Sequence, residues 1–300
     1  MSDIEASLAH AAELIRAGRL VAFPTETVYG LGANALDAAA VARIFAAKQR
    51  PRSSPMIVHV DSVAMARSLS ARWPEAAERL AVRYWPGPLT LVLPKKSAVP
   101  DIVTAGLATV GLRMPAHPLA LALIRGAGVP IAAPSANRFT ELSPSAAQDV
   151  PAELADFVLD GGPARVGIES TVLSLAGEPL LLRPGVIPLP EIENLIGPVA
   201  NGAAAAADAY PSPGMHPRHY RPATSLYLVA PGDPLPSGHG AQLRLGQEMP
   251  ADPREYAAAL YRTLHRLDAE GLEWIAVECP PDTPAWAGVL DRLRKAASNR

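Results

Sequence analysis

Residues 46–60 read AAKQRPRSSPMIVHV. A helical run ends in Lys48, Gln49 and Arg50. Pro51 and Pro55 forbid its continuation, and the apolar MIVHV at 56–60 reads as a strand. A helix that hands over to a buried strand belongs to a layered α/β domain. Lys48, Arg50, Arg52 and His59 all fall inside this stretch. It is either a solvated loop or a site for an anionic ligand, because phosphates favour a mobile ammonium beside a forked guanidinium. In an extended segment Lys48 and Arg50 share one side; at a helix end a bend brings them together. His59 shares its strand side with Ile57, not with Met56, Val58 and Val60.

Working outward, the same alternation of elements continues. Ser2 and Glu5 form a capping-box pattern for a helix to about Ala17, with Ile4, Leu8, Ala11, Ala12 and Ile15 as its apolar stripe and Gly18 as its stop. LVAF at 20–23 reads as a strand, and Asp37 caps a second helix with Val41, Ile44 and Phe45 inward. LTLVL, PIAAP, FVLD, STVLSL and LLL are further strands, and HPLALALIRGAG is a helix that His117 begins and glycine closes. Prolines and glycines break the chain across 201–222. The division is therefore a large domain over 1–200, a linker over 201–222, and a small α/β domain over 223–300. In the last, TSLYLV and EWIAVEC are strands, Leu260, Leu264 and Leu267 stripe a helix, WAGVLDRLRKAA is another helix, and 231–240 is a loop.

Composition limits the function. Apolar residues make up 49% of the 300-residue chain and charged residues 19%, a folded rather than a disordered balance. A formal net charge of −2 gives no general basic field, which argues against an RNA-binding module. Cys279 is the single cysteine, so one chain makes neither a disulfide framework nor a cysteine-built metal site. The first residues lack the basic start and apolar run of a secretory signal, and no stretch is apolar enough to span a membrane; a soluble, cytoplasmic protein is expected.

Chemistry-bearing residues recur at breaks between apolar segments. PTETVYGLG at 24–32 offers Thr25, Thr27 and Tyr29, with Gly30 and Gly32 suited to a tight turn, and reads as a strand-end loop around a small ligand. TAGLATVGLRMP carries Thr109 and Arg113, AAPSANRFTELSPS carries Ser135, Asn137 and Ser143, GIESTV carries Glu169, Ser170 and Thr171, and LLLRPG carries Arg183. Such groups bind phosphate, ribose or an amino-acid headgroup, and Arg113 suits a carboxylate. There is no GxGxxG, no P-loop and no GxSxG elbow. Many anion and hydroxyl contacts without a covalent nucleophile suit transfer between bound partners.

FPTETVYGLG, AAKQRPRSSPMIVHV, YWPGPLTLVLP, TAGLATVGLRMPAHP, AAPSAN, DGGPARVGIESTV and LLRPG, in this order, resemble the motifs of the Sua5/YrdC family of L-threonylcarbamoyladenylate synthases. SPGMHPRHYRP resembles the linker of its long two-domain form. The resemblance implies a YrdC-like twisted mixed sheet with helices, a linker that closes over the active site, and a small Sua5-type, Rossmann-like domain. It implies that L-threonine, bicarbonate or CO2, and ATP give L-threonylcarbamoyl-AMP and pyrophosphate. Mg2+ would come with ATP, without an organic cofactor or a confident protein metal site. A separate tRNA threonylcarbamoyltransferase complex would take the product to t6A.

Carried over by motif, Lys48 and Arg50 are the catalytic cations. Together with Ser54, Thr109, Ser135, Asn137, Ser143, Arg183 and Tyr220 they are the ATP or adenylate contacts. Thr27, His59, Arg113, Ser170 and Thr171 surround threonine, with Ser170 and Thr171 as alternatives. Four departures stand out. Gln49 replaces the usual glycine between the two cations, and His216 and Pro217 replace a lysine and an aromatic in the linker, beside an added Arg221.

Overall fold

The computed structural model describes residues 3–202 and 220–297. In chain order the elements of the first part are α1 (Asp3–Arg16), β1 (Val21–Phe23), β2 (Gly30–Asn34), α2 (Ala38–Lys48), β3 (Ile57–His59), α3 (Val63–Leu69), α4 (Glu75–Tyr84), β4 (Leu89–Pro94), α5 (Asp101–Thr104), β5 (Thr109–Arg113), α6 (Pro118–Ala127), β6 (Ile131–Ala132), β7 (Phe157–Val158), β8 (Thr171–Ser174), β9 (Leu180–Arg183), α7 (Leu189–Ile196) and β10 (Ala200–Asn201). The second part holds β11 (Ser225–Val229), β12 (Gly240–Leu243), α8 (Pro253–Asp268), β13 (Trp274–Glu278) and α9 (Ala287–Ala296).

Strands β1–β10 form one mixed sheet in the order β10-β9-β8-β4-β5-β3-β6-β2-β1-β7. Its two faces differ. Ala22, Leu31, Val58, Leu91, Leu112, Ala132 and Leu173 point to one side, where Val41, Ile44, Leu69, Leu80 and Ile192 of the surrounding helices bury them. On the other side, α1 and α6 cover Val21, Phe23, Ile131 and Ala133 with Ala11, Ile15, Leu123 and Ile124. By register, Ile57, His59, Gly111 and Arg113 lie on this second face, because Ile57 pairs with Gly111, His59 with Arg113, and His59 also with Ile131. This is the face on which the chain places its polar side chains.

Several sequence expectations change here. Gly30 and Gly32 are not turn residues but lie in β2; a Cβ on Gly32 would come within 2.8 Å of both Ile131 and Phe23, so the glycine serves close sheet packing. The loop therefore ends at Tyr29. Residues 109–113, expected as a break, form β5, and Gly240 opens β12 rather than ending a loop. Ile4, expected inward, is exposed on α1. Helices α3, α4, α5 and α7 were not foreseen. As expected, Asp37 caps α2 by accepting from the amides of Ala39 and Ala40, and His117 Nδ1 accepts from Leu119 N at the start of α6.

The second sheet is parallel, in the order β11-β13-β12. Leu260, Leu264 and Leu267 of α8 are buried as their spacing predicts, and they share a core with Val28, Leu142 and Ile168 of the first part. The two sheets are joined through residues 201–222, of which 203–219, including His216 and Pro217, lie outside the described residues. Where the chain resumes, Arg221 N donates to Thr140 O at 3.0 Å, which fixes Tyr220 in the left-handed region at φ 64°.

Candidate functional site

The end of α2 settles how its cations are aimed. Gln49 adopts φ 50°, its amide donates to Ala46 O, and the Arg50 amide donates to Phe45 O. This pair of bonds is a Schellman close, which usually takes glycine at the left-handed position. It turns Lys48 and Arg50 inward, and both are buried. They then diverge in role. Lys48 Nζ donates to Ser135 O at 2.7 Å, to Asn137 Oδ1 at 3.1 Å and to Asn137 O. It ties the 135–137 loop down from behind. Arg50 donates to Pro55 O at 3.1 Å and lies with Cζ 5.8 Å from the Phe139 ring centre, while its Nε has no partner among the described residues. Burial lowers the Arg50 pKa to about 10, and burial followed by repulsion from Arg50 holds Lys48 well below its ordinary value.

A second group stands on β3, β5 and the 24–29 loop. Arg113 forms a 2.7 Å ion pair with Glu26 and donates from Nε to Gly87 O at 3.3 Å. Glu26 is itself fixed by the Ala116 amide at 2.9 Å. His59 rests edge-on against Phe23, and its Nδ1 has no partner among the described residues. Burial, reinforced by the Arg113 charge, depresses its pKa to about 3, so the imidazole is neutral at neutral pH. Thr25 donates to Val28 O at 2.6 Å; with its one proton so committed, the 2.8 Å contact with Thr27 makes Thr27 the donor and leaves Thr27 Oγ1 as an acceptor.

The third wall runs along β8 and β9. Arg183 grips Ser170 through Ser170 O at 2.9 Å and Ser170 Oγ at 3.2 Å, and Ser170 Oγ also contacts Thr90 Oγ1 at 2.8 Å. Beside it, Glu169 accepts from Ser143 Oγ at 2.6 Å, from Tyr261 of α8 at 3.2 Å and from Arg292 of α9 at 2.8 Å. Burial alone would raise the Glu169 carboxyl, but the Arg292 and Arg183 charges outweigh it and hold the pKa at about 2.

These walls line one solvent-open cleft. Of the residues singled out in the sequence, Thr27, Arg50, His59, Arg113, Ser135, Ser170, Arg183 and Tyr220 line it. Lys48, Asn137 and Ser143 stand behind its wall as supports: Asn137 Nδ2 donates to Glu141 O at 2.7 Å and accepts at Oδ1 from Ser135 Oγ. Ser54 is in a turn after Pro51. Thr109 lies on the same sheet face but lines a neighbouring pocket with Thr90, Val92 and Gly111. Thr171 turns away to Ile187, which separates it from Ser170. Glu26 and Glu169 carried only a faint signal as loop acids, and Arg292 was missed. Its signal was its register, one helical turn from Val289 and Ala296 on the buried face of α9.

The cleft lies on one sheet face, where Thr25, Thr27 and Val28 follow β1, His59, Arg113 and Arg183 end β3, β5 and β9, and Ser135 follows β6. Among the described residues no cluster of three or more His, Cys, Asp or Glu side chains is suited to hold a metal, and Glu169 in the cleft and Glu26 behind it are each engaged by an arginine. Nor is any helix among them long and apolar enough to cross a membrane.

The Sua5_yciO_yrdC family model, described as "Telomere recombination", matches residues 13–185, and the model of the threonylcarbamoyl-AMP synthase C-terminal domain matches residues 187–298. The chain is 43% identical to the threonylcarbamoyl-AMP synthase of Pyrococcus abyssi over 97% of its own length and 94% of the relative's. It is 42% identical to that of Bacillus subtilis over 100% and 95%. The crystal structure of P. abyssi Sua5 complexed with L-threonine superposes with a TM-score of 0.89 at 40% identity, covering 97% of this chain and 94% of that one.

Proposed function

Because this chain belongs to the Sua5–YciO–YrdC family and carries the Sua5 C-terminal domain, we propose that its cleft makes L-threonylcarbamoyl-AMP and pyrophosphate from L-threonine, bicarbonate or CO2, and ATP. The observation that carries this reading is a single cleft lined both by Thr27, His59 and Arg113 and by Arg50, Ser135, Arg183 and Tyr220.

In this reading Arg113 takes the threonine carboxylate. Glu26 prevents the guanidinium from rotating freely, and Gly87 O fixes its plane. Neutral His59 and the acceptor oxygen of Thr27 suit a hydroxyl or an amine rather than a second anion. Carbamoylation of the amine gives a new carboxylate, whose oxygen attacks the α-phosphorus of ATP as pyrophosphate leaves. The protein contributes alignment and charge. Arg50 and Arg183 face the developing negative charge from a buried setting, where each interaction is stronger than in water. Lys48 keeps Ser135 and Asn137 in place. Magnesium would enter with ATP and supply charge neutralisation to its phosphates; Glu26 and Glu169 are each paired with an arginine. Exclusion of water protects the carbamate and the mixed anhydride, and Tyr220, a buried side chain in the cleft lining, contributes to that task. The labile product calls for direct transfer to a separate tRNA-modifying enzyme.

Mass-spectrometric detection of threonylcarbamoyl-AMP in a reaction with threonine, fresh bicarbonate and Mg-ATP tests the proposal. Pyrophosphate release should require threonine and exceed that with serine. A folded preparation that releases no threonine-dependent pyrophosphate would overturn it.

A further inference from the structure

We infer that the C-terminal domain is part of the catalytic apparatus, and that Arg292 is a positioning residue that fixes the cleft wall carrying Glu169, Ser170 and Arg183.

Arg292 is on α9, outside the large sheet, yet its side chain is 1% exposed. Its fork reaches two separate stretches of the catalytic domain. Nε donates to Glu169 Oε2 at 2.8 Å and NH2 to Glu169 O at 3.1 Å; NH1 donates to Pro184 O at 2.6 Å. Glu169 directly precedes Ser170, Pro184 directly follows Arg183, and Arg183 is bonded back to Ser170. The contacts therefore close a ring: Arg292 to Glu169, along the chain to Ser170, across to Arg183, along the chain to Pro184, and back to Arg292.

The packing leaves the ring no slack. A Cβ on Gly288 of α9 would fall 2.5 Å from Gly185 O, and one on Gly167 would fall 2.2 Å from Ala257 O of α8. Both helices thus lie directly on the backbone flanking β8 and β9. Tyr261 adds its bond to Glu169, and His265 Nε2 lies 3.1 Å from Ser143 O, whose own hydroxyl holds the other oxygen of Glu169. Filling this space with apolar side chains would serve stability as well as a buried ion pair does. An ionic ring beside two cleft residues instead specifies a geometry, and small misplacements of such groups cost about 100-fold in rate.

The test uses the full chain with Arg292→Lys, Arg292→Ala and, as a control, Arg294→Ala, whose exposed side chain pairs with Asp282. Three readouts are taken: kcat and KM for ATP and threonine, thermal melting, and amide hydrogen exchange at 168–171 and 183–187. Arg292→Lys keeps the charge but not the fork. It should stay folded, lose about 10- to 100-fold in kcat/KM, and exchange faster at these two stretches than elsewhere in the sheet. Methylguanidine should restore part of the Arg292→Ala rate, and Arg294→Ala should match the wild type. A folded Arg292→Lys with wild-type kinetics and exchange would overturn the inference. So would a rate loss in Arg292→Ala that follows the loss of folded protein and is not rescued. The kinetic arm rests on the synthase reading, the exchange arm does not. If the wild-type chain makes no adenylate, that reading fails, while local exchange in Arg292→Lys still decides the role of Arg292.

Discussion

Lys48 and Arg50 lie two residues apart in the sequence motif, yet their contacts predict opposite balances of stability and function. Replacing Lys48 with Met keeps the stem and removes the ammonium. Ser135 O and Asn137 O then lose the donor that holds them, whereas Asn137 Oδ1 keeps Ser135 Oγ. Two orphaned buried carbonyls cost about 1–3 kcal/mol each, partly offset because a buried charge is also removed, which leaves a loss of about 3 kcal/mol. At about 2–4 °C per kcal/mol for a domain of this size, the Tm should fall by roughly 6–12 °C. Arg50→Met removes a single bond, to Pro55 O, together with the burial penalty that lowers the Arg50 pKa. Its Tm should change by less than about 3 °C, while kcat/KM for ATP should fall about 100- to 1,000-fold if the guanidinium stabilises charge on phosphate. Paired thermal melts and pyrophosphate-release kinetics with ATP varied give both numbers. A Lys48→Met protein that melts with the wild type, or an Arg50→Met protein that melts more than about 3 °C below it, would refute the division of roles.

Gln49→Gly relieves a left-handed glutamine and should raise stability by about 1 kcal/mol, read as a denaturant midpoint shift with unchanged substrate KM values. Ser170→Ala should lower kcat/KM with little change in Tm, because it removes a hydroxyl that Arg183 and Thr90 aim at the cleft; Thr171→Val should lower Tm and leave substrate KM values alone. Two pH windows should separate. Glu169 is depressed from 4.5 to about 2, so its stabilisation is complete above pH 4.5 and fades as pH falls toward 2. His59 is depressed from 6.5 to about 3, so the folded state loses stability as pH falls below 6.5, where the unfolded chain gains a proton that the buried ring refuses. Urea midpoints across pH 3–7 should flatten above pH 4.5 in His59→Asn, whereas in Glu169→Gln the added steepness below pH 4.5 should vanish and the His59 slope remain.

The elements most legible in the sequence were those whose burial is one-sided and whose ends carry chemical stops. Asp37 announced α2, His117 and Gly128 bracketed α6, and the leucines of α8 kept their helical spacing. Strand β5 was hidden because Thr109, Gly111 and Arg113 alternate with Val110 and Leu112 as site face against core face. Read without its neighbours, that alternation resembles a polar break. Helix α4 was obscured by its charges, with Ala77, Leu80 and Ala81 as its fully buried residues. Strand β2 was masked by Gly30 and Gly32, which look like turn formers until Phe23 and Ile131 are seen to occupy the space where their side chains would be.

The site follows the same logic one level higher. Every cleft residue of the catalytic domain sits where a strand or loop meets one face of the sheet, so its identity was visible but its neighbours were not. Register alone sets His59 opposite Arg113, and only the parallel pairing of β3 with β5 supplies that register. Loop bonds do the same for Ser170 and Thr171, sequence neighbours that local polarity could not rank: Arg183 claims the first for the cleft, and Ile187 takes the second into the wall. Arg292 lay furthest from view because its partners are more than a hundred residues away, but the amphipathic period of α9 already placed a cation among Val289, Leu293 and Ala296. A guanidinium in a buried stripe requires an acceptor on the surface that it packs against. Here that acceptor is Glu169, which brings the second domain to the edge of the catalytic cleft.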